Sequence, residues 1–372
     1  MMMKPLTIFT AAVILSGCAA YATPSETLGD IQAQPAPPYA KDARGTACVA
    51  PGTWYDPLTK QTVPADQLIA RMATKDVVLL GETHVVADHH RWQMQTIAQL
   101  YSQRPDMILG FEAFPRRVQG VLDRWVAGEL SEQEFLTASD WNTVWKYDPA
   151  YYMPMFHFAR LNRVPMVALN VDRALIREVS EKGWQAVPQA LRRGIGDPAP
   201  ASPEYLAMLG DVFGRHGSAK DQDNSAPQPP GLDNPMFANF VAVQQTWDRA
   251  MAEATATALN NAKKEGRNPR LVAIIGRGHM DHFYGVPEQL KDLNVKNVAV
   301  LTPWDRLREC TNLVSANGTP TADAVFGLEY SPDFFPPEKP KLGVMIEASD
   351  DGILVGKVLK DSIAEKAGLK KR

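Results

Sequence analysis

Apolar positions in this chain gather into short blocks separated by amphipathic stretches. Five blocks are almost wholly apolar: Val77 to Leu80, Met107 to Phe111, Val164 to Leu169, Leu271 to Ile275 and Val298 to Leu301. None shows strict polar alternation, which is what strands covered on both faces look like. Helical patterns lie between them. Asp88 to Tyr101 is one, and Pro115 to Trp125 sets Val118, Leu122 and Trp125 at helical spacing. Phe237 to Lys264 is the longest, with Phe237, Phe240, Val241, Trp247 and Met251 on one side and Gly266 as a stop signal. This order predicts an α/β domain whose mainly parallel central sheet is flanked by helices.

A helical insertion separates the third and fourth blocks. Leu175 to Arg193 and Pro203 to Phe213 read as helices, and Gly217 to Pro235 reads as a mobile loop. The insertion is either a lid over the sheet edge or a peripheral decoration. Further on, Lys341 to Val344, Asp351 to Val355 and Ser362 to Leu369 resemble the start of a bacterial PDZ domain, with Ile363 in place of the usual proline. The chain stops before the remaining strands of such a domain, so this tail is expected to be incomplete, with little peptide binding.

The N-terminus changes the picture of where the protein works. Lys4 precedes a short apolar run that ends in Leu15-Ser16-Gly17-Cys18. A basic start and a short apolar core make a secretory signal. The last four residues look like a bacterial lipobox, which implies lipidation of Cys18. Ala19, where an inner-membrane protein would often carry Asp, favours an outer-membrane lipoprotein facing the periplasm. The expected organisation is a signal peptide (1–18), a Pro- and Ala-rich tether (19–47), the α/β domain (48–310), a linker (311–340) and the PDZ-like tail (341–372). Export leaves Cys48 and Cys310, which either pair as a disulfide or stay as buried thiols.

The chain has 372 residues, 45% of them hydrophobic, and a formal net charge of -3. That suits a sizeable core and gives no reason to expect a nucleic-acid partner.

The apolar blocks end in chemistry. The first closes on Gly81-Glu82-Thr83-His84 and the fourth on Gly276-Arg277-Gly278-His279. The second ends in Glu112 and the third in Asn170. In an open parallel sheet the carboxyl ends of strands share one crevice. Two histidines and two acids there can coordinate a divalent metal or activate water. Gly81, Gly276 and Gly278 permit close approach by lacking a Cβ. The plainer alternative is that each acid caps a helix or pairs with an arginine such as Arg173 or Arg277. His89 and His90 follow the first motif and point about 100° apart on a helix. His282 shares a face with His279 if that turn is helical. Trp141, Trp145, Tyr147, Tyr151, Tyr152, Met153, Met155 and Phe156 either pack the core or line a pocket for a flat apolar ligand.

Five ordered motifs carry a family resemblance: Val77 to His84 with His89-His90, Gly110 to Gln119, Leu169-Asn170, the Gln244, Trp247, Asp248, Met251, Ala252 helix, and Gly278-His279 leading to Gly285-Val286-Pro287. From Cys48 to Pro303 the chain resembles the ChaN-type haem-binding lipoproteins, in a wider group with erythromycin esterases, TraB and the Tiki metalloproteases. The resemblance implies an outer-membrane lipoprotein that binds haem and helps iron uptake, with a homodimer as a further option. It also implies an alternative, a metal-dependent hydrolase with a Mn, Co or Zn ion. There Glu82, His84, Glu112 and His279 would be catalytic, and His84, Glu112 and His279 would hold the metal. No motif identifies the haem ligand; Tyr55, His89 and His282 are candidates of suitable chemistry.

Overall fold

Burial on both faces makes the apolar blocks the inner strands of one sheet. A computed structural model describes residues 48–217, 231–305, 308–329, 343–349, 352–360 and 362–370. The chain divides into two units, Met1–Ala36 and Pro37–Arg372, and every described residue lies in the second. The expected signal peptide with Cys18, the expected tether, most of the expected mobile loop and residues 330–340 of the expected linker lie outside the described residues.

The sheet has eight strands: β1 (Trp54–Asp56), β2 (Gln61–Val63), β3 (Val77–Glu82), β4 (Met107–Pro115), β5 (Met166–Asn170), β6 (Arg270–Gly276), β7 (Val298–Trp304) and β8 (Ala324–Gly327). Their order is β2-β1-β8-β7-β3-β6-β4-β5. From β8 to β5 all neighbours are parallel, and only β1 pairs antiparallel, with β2 and β8. The fold is therefore α/β with a mainly parallel central sheet. β3, β4 and β6 are buried at every position.

Within each inner strand, successive side chains serve opposite layers. Val78, Leu80, Leu109, Phe111, Val272 and Ile274 enter one core cluster. Val77, Leu79, Ile108, Leu271, Ala273 and Ile275 enter the other. On the first face lie α1 (Ala65–Ala73), α2 (Ala87–Gln103), α3 (Gln119–Ala127), α4 (Glu132–Ala138), α5 (Trp141–Val144) and α6 (Met153–Asn162). After α7 (Arg173–Lys182) and α8 (Pro203–Gly217) come α9 (Pro235–Lys264) and α10 (Val286–Asp292), which cover the second face. Asn234 starts α9 by accepting hydrogen bonds from the Met236 and Phe237 amides, with Pro235 in the first turn.

The expected helix from Leu175 to Arg193 is shorter. Gly183, at φ +74°, ends α7, and two 3-10 turns follow on either side of Pro188. Cys48 and Cys310 are bonded, with Cα atoms 5.7 Å apart across 262 residues. Near the C-terminus β9 (Val344–Ser349) and β10 (Gly352–Val358) form an antiparallel hairpin, followed by α11 (Ile363–Lys366). For that segment the PDZ likeness rests on sequence pattern alone. No helix among the described residues is long and apolar enough to cross a membrane.

Candidate functional site

The two Gly-x-x-His turns are neighbours. In the β3–β6 ladder Glu82 lies opposite Gly276, so the turn that presents His84 runs beside the 3-10 turn that presents His279. β4, on the far side of β6, adds Glu112, whose Oε2 accepts a 2.5 Å hydrogen bond from the Gly276 amide. Asn170, at the end of β5, donates from Nδ2 to the Glu112 carbonyl at 3.0 Å. Gly276 is a steric requirement: a Cβ there would lie 2.8 Å from His84 Cε1 and 3.0 Å from its Nε2. Gly278 is not, because a Cβ there would meet open space.

Each histidine is backed by a buried acid. His84 Nδ1 is 2.7 Å from Glu82 Oε1, which also accepts from the Tyr152 hydroxyl at 2.6 Å. His90 Nδ1 lies 3.2 Å from Glu82 Oε2. Burial alone would raise the Glu82 pKa, but the charges and hydrogen bonds of His90 and His84 win and hold it well below the carboxylate range. His84 is raised: its burial works the other way, but Glu82 and Glu112 outweigh it. His279 Nδ1 is 2.7 Å from Asp248 Oδ1, and Tyr205 donates to the other Asp248 oxygen at 2.7 Å. Burial would lower the His279 pKa, but Asp248 and then Glu112 push it up to about 9. Asp248 is raised by its own burial. In both pairs the acid accepts a hydrogen bond from Nδ1–H, which fixes the ring's orientation and turns Nε2 toward the crevice. His279 Nε2 lies 3.7 Å from Glu112 Oε1.

Of these groups, His84, Glu112, Asn170 and His279 line a cavity of about 630 Å³, within the usual range for small-molecule sites. Trp145, Tyr147 and Trp247 add flat apolar surface, and Arg117, Arg173 and Arg193 also line it. His84 sits edge-on to Trp145, with ring centres 4.7 Å apart. The aromatic stretch thus does both jobs set out from the sequence. Trp141, Tyr152, Met153, Met155 and Phe156 pack the core, whereas Trp145 and Tyr147 reach the cavity. The insertion divides too: α7 contributes Arg173, Ala174 and Ile176 to the cavity wall, while α8 packs against α9.

Other expectations do not meet at the site. Neither Arg173 nor Arg277 pairs with a strand-end acid: Arg173 donates to the Val144 carbonyl, and Arg277 lies 3.6 Å from Asp281. His89 is fully buried and accepts from the Thr83 amide through Nδ1 at 2.9 Å, so its free nitrogen turns toward Asp305, 3.7 Å away. His282 has φ +58°, which breaks the helical spacing from His279, and it contacts the Thr319 carbonyl instead. Tyr55 is on β1, three strands from β3. None of these three ligand candidates lines the cavity. A divalent metal does not fit either. Among the described residues no group of three or more His, Cys, Asp or Glu side chains is arranged to hold one; Glu112 is tied to a backbone amide, and the other two acids are tied to imidazoles.

Sequence reasoning gave no role to Asp248. The available signal was a lone acid on the apolar stripe of α9, between Trp247 and Met251. Tyr152 and Tyr205, the hydroxyl partners of the two acids, carried no signal distinct from core packing.

A family model described as "Haem-binding uptake, Tiki superfamily, ChaN" matches residues 68–290. Among solved structures, ChaN of Campylobacter jejuni, described for cofacial haem binding, is 17% identical, covers 73% of this chain and 95% of its own, and superposes with a TM-score of 0.54. An erythromycin esterase mutant in its open conformation is 10% identical over 73% of this chain and 82% of its own, at 0.38. An effector domain of a Vibrio vulnificus MARTX toxin is 14% identical over 71% and 38%, at 0.36. The first shows a shared fold; the other two are too distant to bear on the argument. No curated protein sequence matches this chain.

Proposed function

Since this chain belongs to the haem-binding uptake family of the Tiki superfamily, ChaN, we propose that it binds haem in the cavity at the carboxyl edge of its sheet. The observation that carries the reading is the cavity itself: about 630 Å³, walled by Trp145, Tyr147 and Trp247 and lined by two imidazoles. Flat aromatic surface suits a porphyrin face, and a neutral imidazole suits its iron.

His84 is the side chain we assign to the iron. Its Nδ1 proton is held by Glu82, so the lone pair sits on Nε2, and a carboxylate behind an imidazole makes it a more basic ligand. His279 and Tyr147 also line the cavity, but Asp248 pushes His279 up to about 9, which keeps it protonated at neutral pH, and burial and then Glu112 and Glu82 raise the Tyr147 pKa, which disfavours the tyrosinate. A bound haem would supply redox-active iron; this chain would supply the aromatic-walled pocket and the oriented imidazole. Titration of the protein with haem, followed at the Soret band, tests the reading. Saturable binding is expected, with a changed spectrum in His84→Ala and little change in Tyr147→Phe.

We extend the proposal to biology: a carrier in haem or iron uptake, held to the outer membrane through lipidated Cys18 and facing the periplasm. The lipobox-like Leu15 to Cys18 supports it. Metabolic labelling with a fatty acid that is lost in Cys18→Ser is the test. A homodimer belongs to the same proposal, and sedimentation of the apo and haem-loaded protein tests it.

One observation favours a second reading, hydrolysis without a resident metal. Glu112 lies between two acid-backed imidazoles, Glu82–His84 and Asp248–His279. Glu112 would act as base on a water, and protonated His279 would act as acid. Turnover of an ester or peptide that vanishes in both Glu112→Gln and His279→Ala would support it; no turnover by the wild type would remove it.

A further inference from the structure

The turn that presents His84 is gripped by α2 and the residue before it. Gln93 Nε2 donates to the Leu80 carbonyl at 3.1 Å, near the end of β3. His90 Nε2 donates to the His84 carbonyl at 3.1 Å. The Val86 amide donates to the Thr83 carbonyl at 2.9 Å. A fourth bond runs the other way: the Thr83 amide donates to Nδ1 of His89 at 2.9 Å. Neither reading above uses His89.

That fourth bond differs in kind from the other three. An amide only donates, so His89 Nδ1 accepts and carries no proton. The neutral ring then has its proton on Nε2, the nitrogen 3.7 Å from Asp305 Oδ2. His89 is fully buried, so solvent does not compete for either nitrogen. A proton added at Nδ1 sets N–H against N–H, and the bond must break. The other three bonds end on carbonyl oxygens, which a proton on His89 leaves intact.

The charges around the ring decide when this happens. Asp305, just past β7, favours the proton, whereas Arg277, in the turn after β6, and His90 on α2 oppose it. Burial outweighs Asp305 and holds the His89 pKa below its ordinary 6.5. The bond is therefore intact at neutral pH and is lost on acidification.

We propose that His89 is a positioning residue for His84: as a neutral imidazole it latches the Thr83 amide, and its protonation releases the turn that carries His84. The role rests on the haem reading, in which His84 meets the iron. Haem is then held at neutral pH and gripped less firmly in acid, through a side chain that does not line the cavity.

The full chain without haem provides the first test. Hydrogen exchange of the Thr83 amide, expressed as protection relative to an unstructured chain, is followed from about pH 7.5 to about pH 5. The Leu79 amide in β3 is the reference. Thr83 protection should fall by about tenfold or more as its buried N–H loses its acceptor, while that of Leu79 holds. A side chain that only filled space would leave Thr83 protection independent of pH. His89→Asn puts an oxygen that does not take up a proton in the place of Nδ1. It should restore the protection lost in His89→Ala and abolish the fall in acid. Haem is then titrated at neutral pH with Soret absorbance as the readout. His89→Ala should bind about tenfold or more weaker, and His89→Asn should recover most of that loss. Thr83 protection that is flat with pH in the wild type, or that falls equally in His89→Asn, overturns the latch and leaves the haem reading standing. So does a His89→Ala protein that binds haem like the wild type. If His89→Ala does not fold, the wild-type pH series and His89→Asn decide. A latch that behaves as expected in a wild type that binds no haem overturns the haem reading and leaves His89 as the latch on the His84 turn.

Discussion

Gly276→Ala is the most exacting perturbation of the site, because it adds one methyl group and nothing else. Gly276 has φ −57°, a conformation alanine adopts freely, so the effect is confined to the new Cβ. That atom would lie 2.8 Å from His84 Cε1, and relief to the 3.4 Å of ordinary contact requires about 0.6 Å of ring movement. A shift of that size is enough to take the 2.7 Å His84–Glu82 hydrogen bond past 3.2 Å. Hydrogen bonds to charged groups contribute about 1.5–3 kcal/mol, so haem affinity should fall by roughly 10- to 150-fold if the oriented imidazole holds the ligand. Lost stability would lower Tm by about 2–4 °C per kcal/mol. Gly278→Ala is the matched control, since its Cβ meets nothing within 4 Å; it should bind and melt like the wild type. Soret titration and thermal melting of the three proteins decide the matter. A Gly276→Ala protein with wild-type affinity, spectrum and Tm would refute the placement of His84 argued above.

Asp248→Asn should lower the His279 pKa from about 9 by removing the main charge that opposes burial, and NMR titration of the imidazole would show it. Because the folded pKa of His279 is raised above its ordinary 6.5, its stabilising contribution is full below pH 6.5 and lost as pH rises to about 9. Urea midpoints should fall across that window, and fall less in His279→Ala; an identical slope in both would count against the assignment. Breaking the 262-residue loop with Cys48→Ser should cost about 2–5 kcal/mol in denaturant unfolding. Trp145→Ala should weaken haem binding through lost ring contact while leaving far-UV circular dichroism unchanged.

The inner strands were legible because burial on both faces leaves unbroken apolar runs, as in β3 and β6. The edge strands were not: β1 and β2 have three residues each and β8 four, too short for a periodic signal. The meeting of His84 with His279 was legible from the rule that parallel strands share a carboxyl edge. Their backing acids were harder. Glu82 is two residues from His84 in the chain and stood out as part of its motif, whereas Asp248 arrives from a helix 31 residues before His279. His282 was misplaced because a left-handed residue cannot be read from composition. The arginines at the cavity mouth were invisible as a group, because three separate loops and helices deliver them.

The central claim is that haem occupies this cavity against His84. Titrating haem into the wild type, His84→Ala and Trp145→Ala and following the Soret band tests it most directly. The account predicts saturable binding by the wild type, a shifted band with at least tenfold weaker binding in His84→Ala, and weaker binding in Trp145→Ala. Absence of saturable binding by the wild type, or identical spectra and affinities in all three proteins, would contradict it.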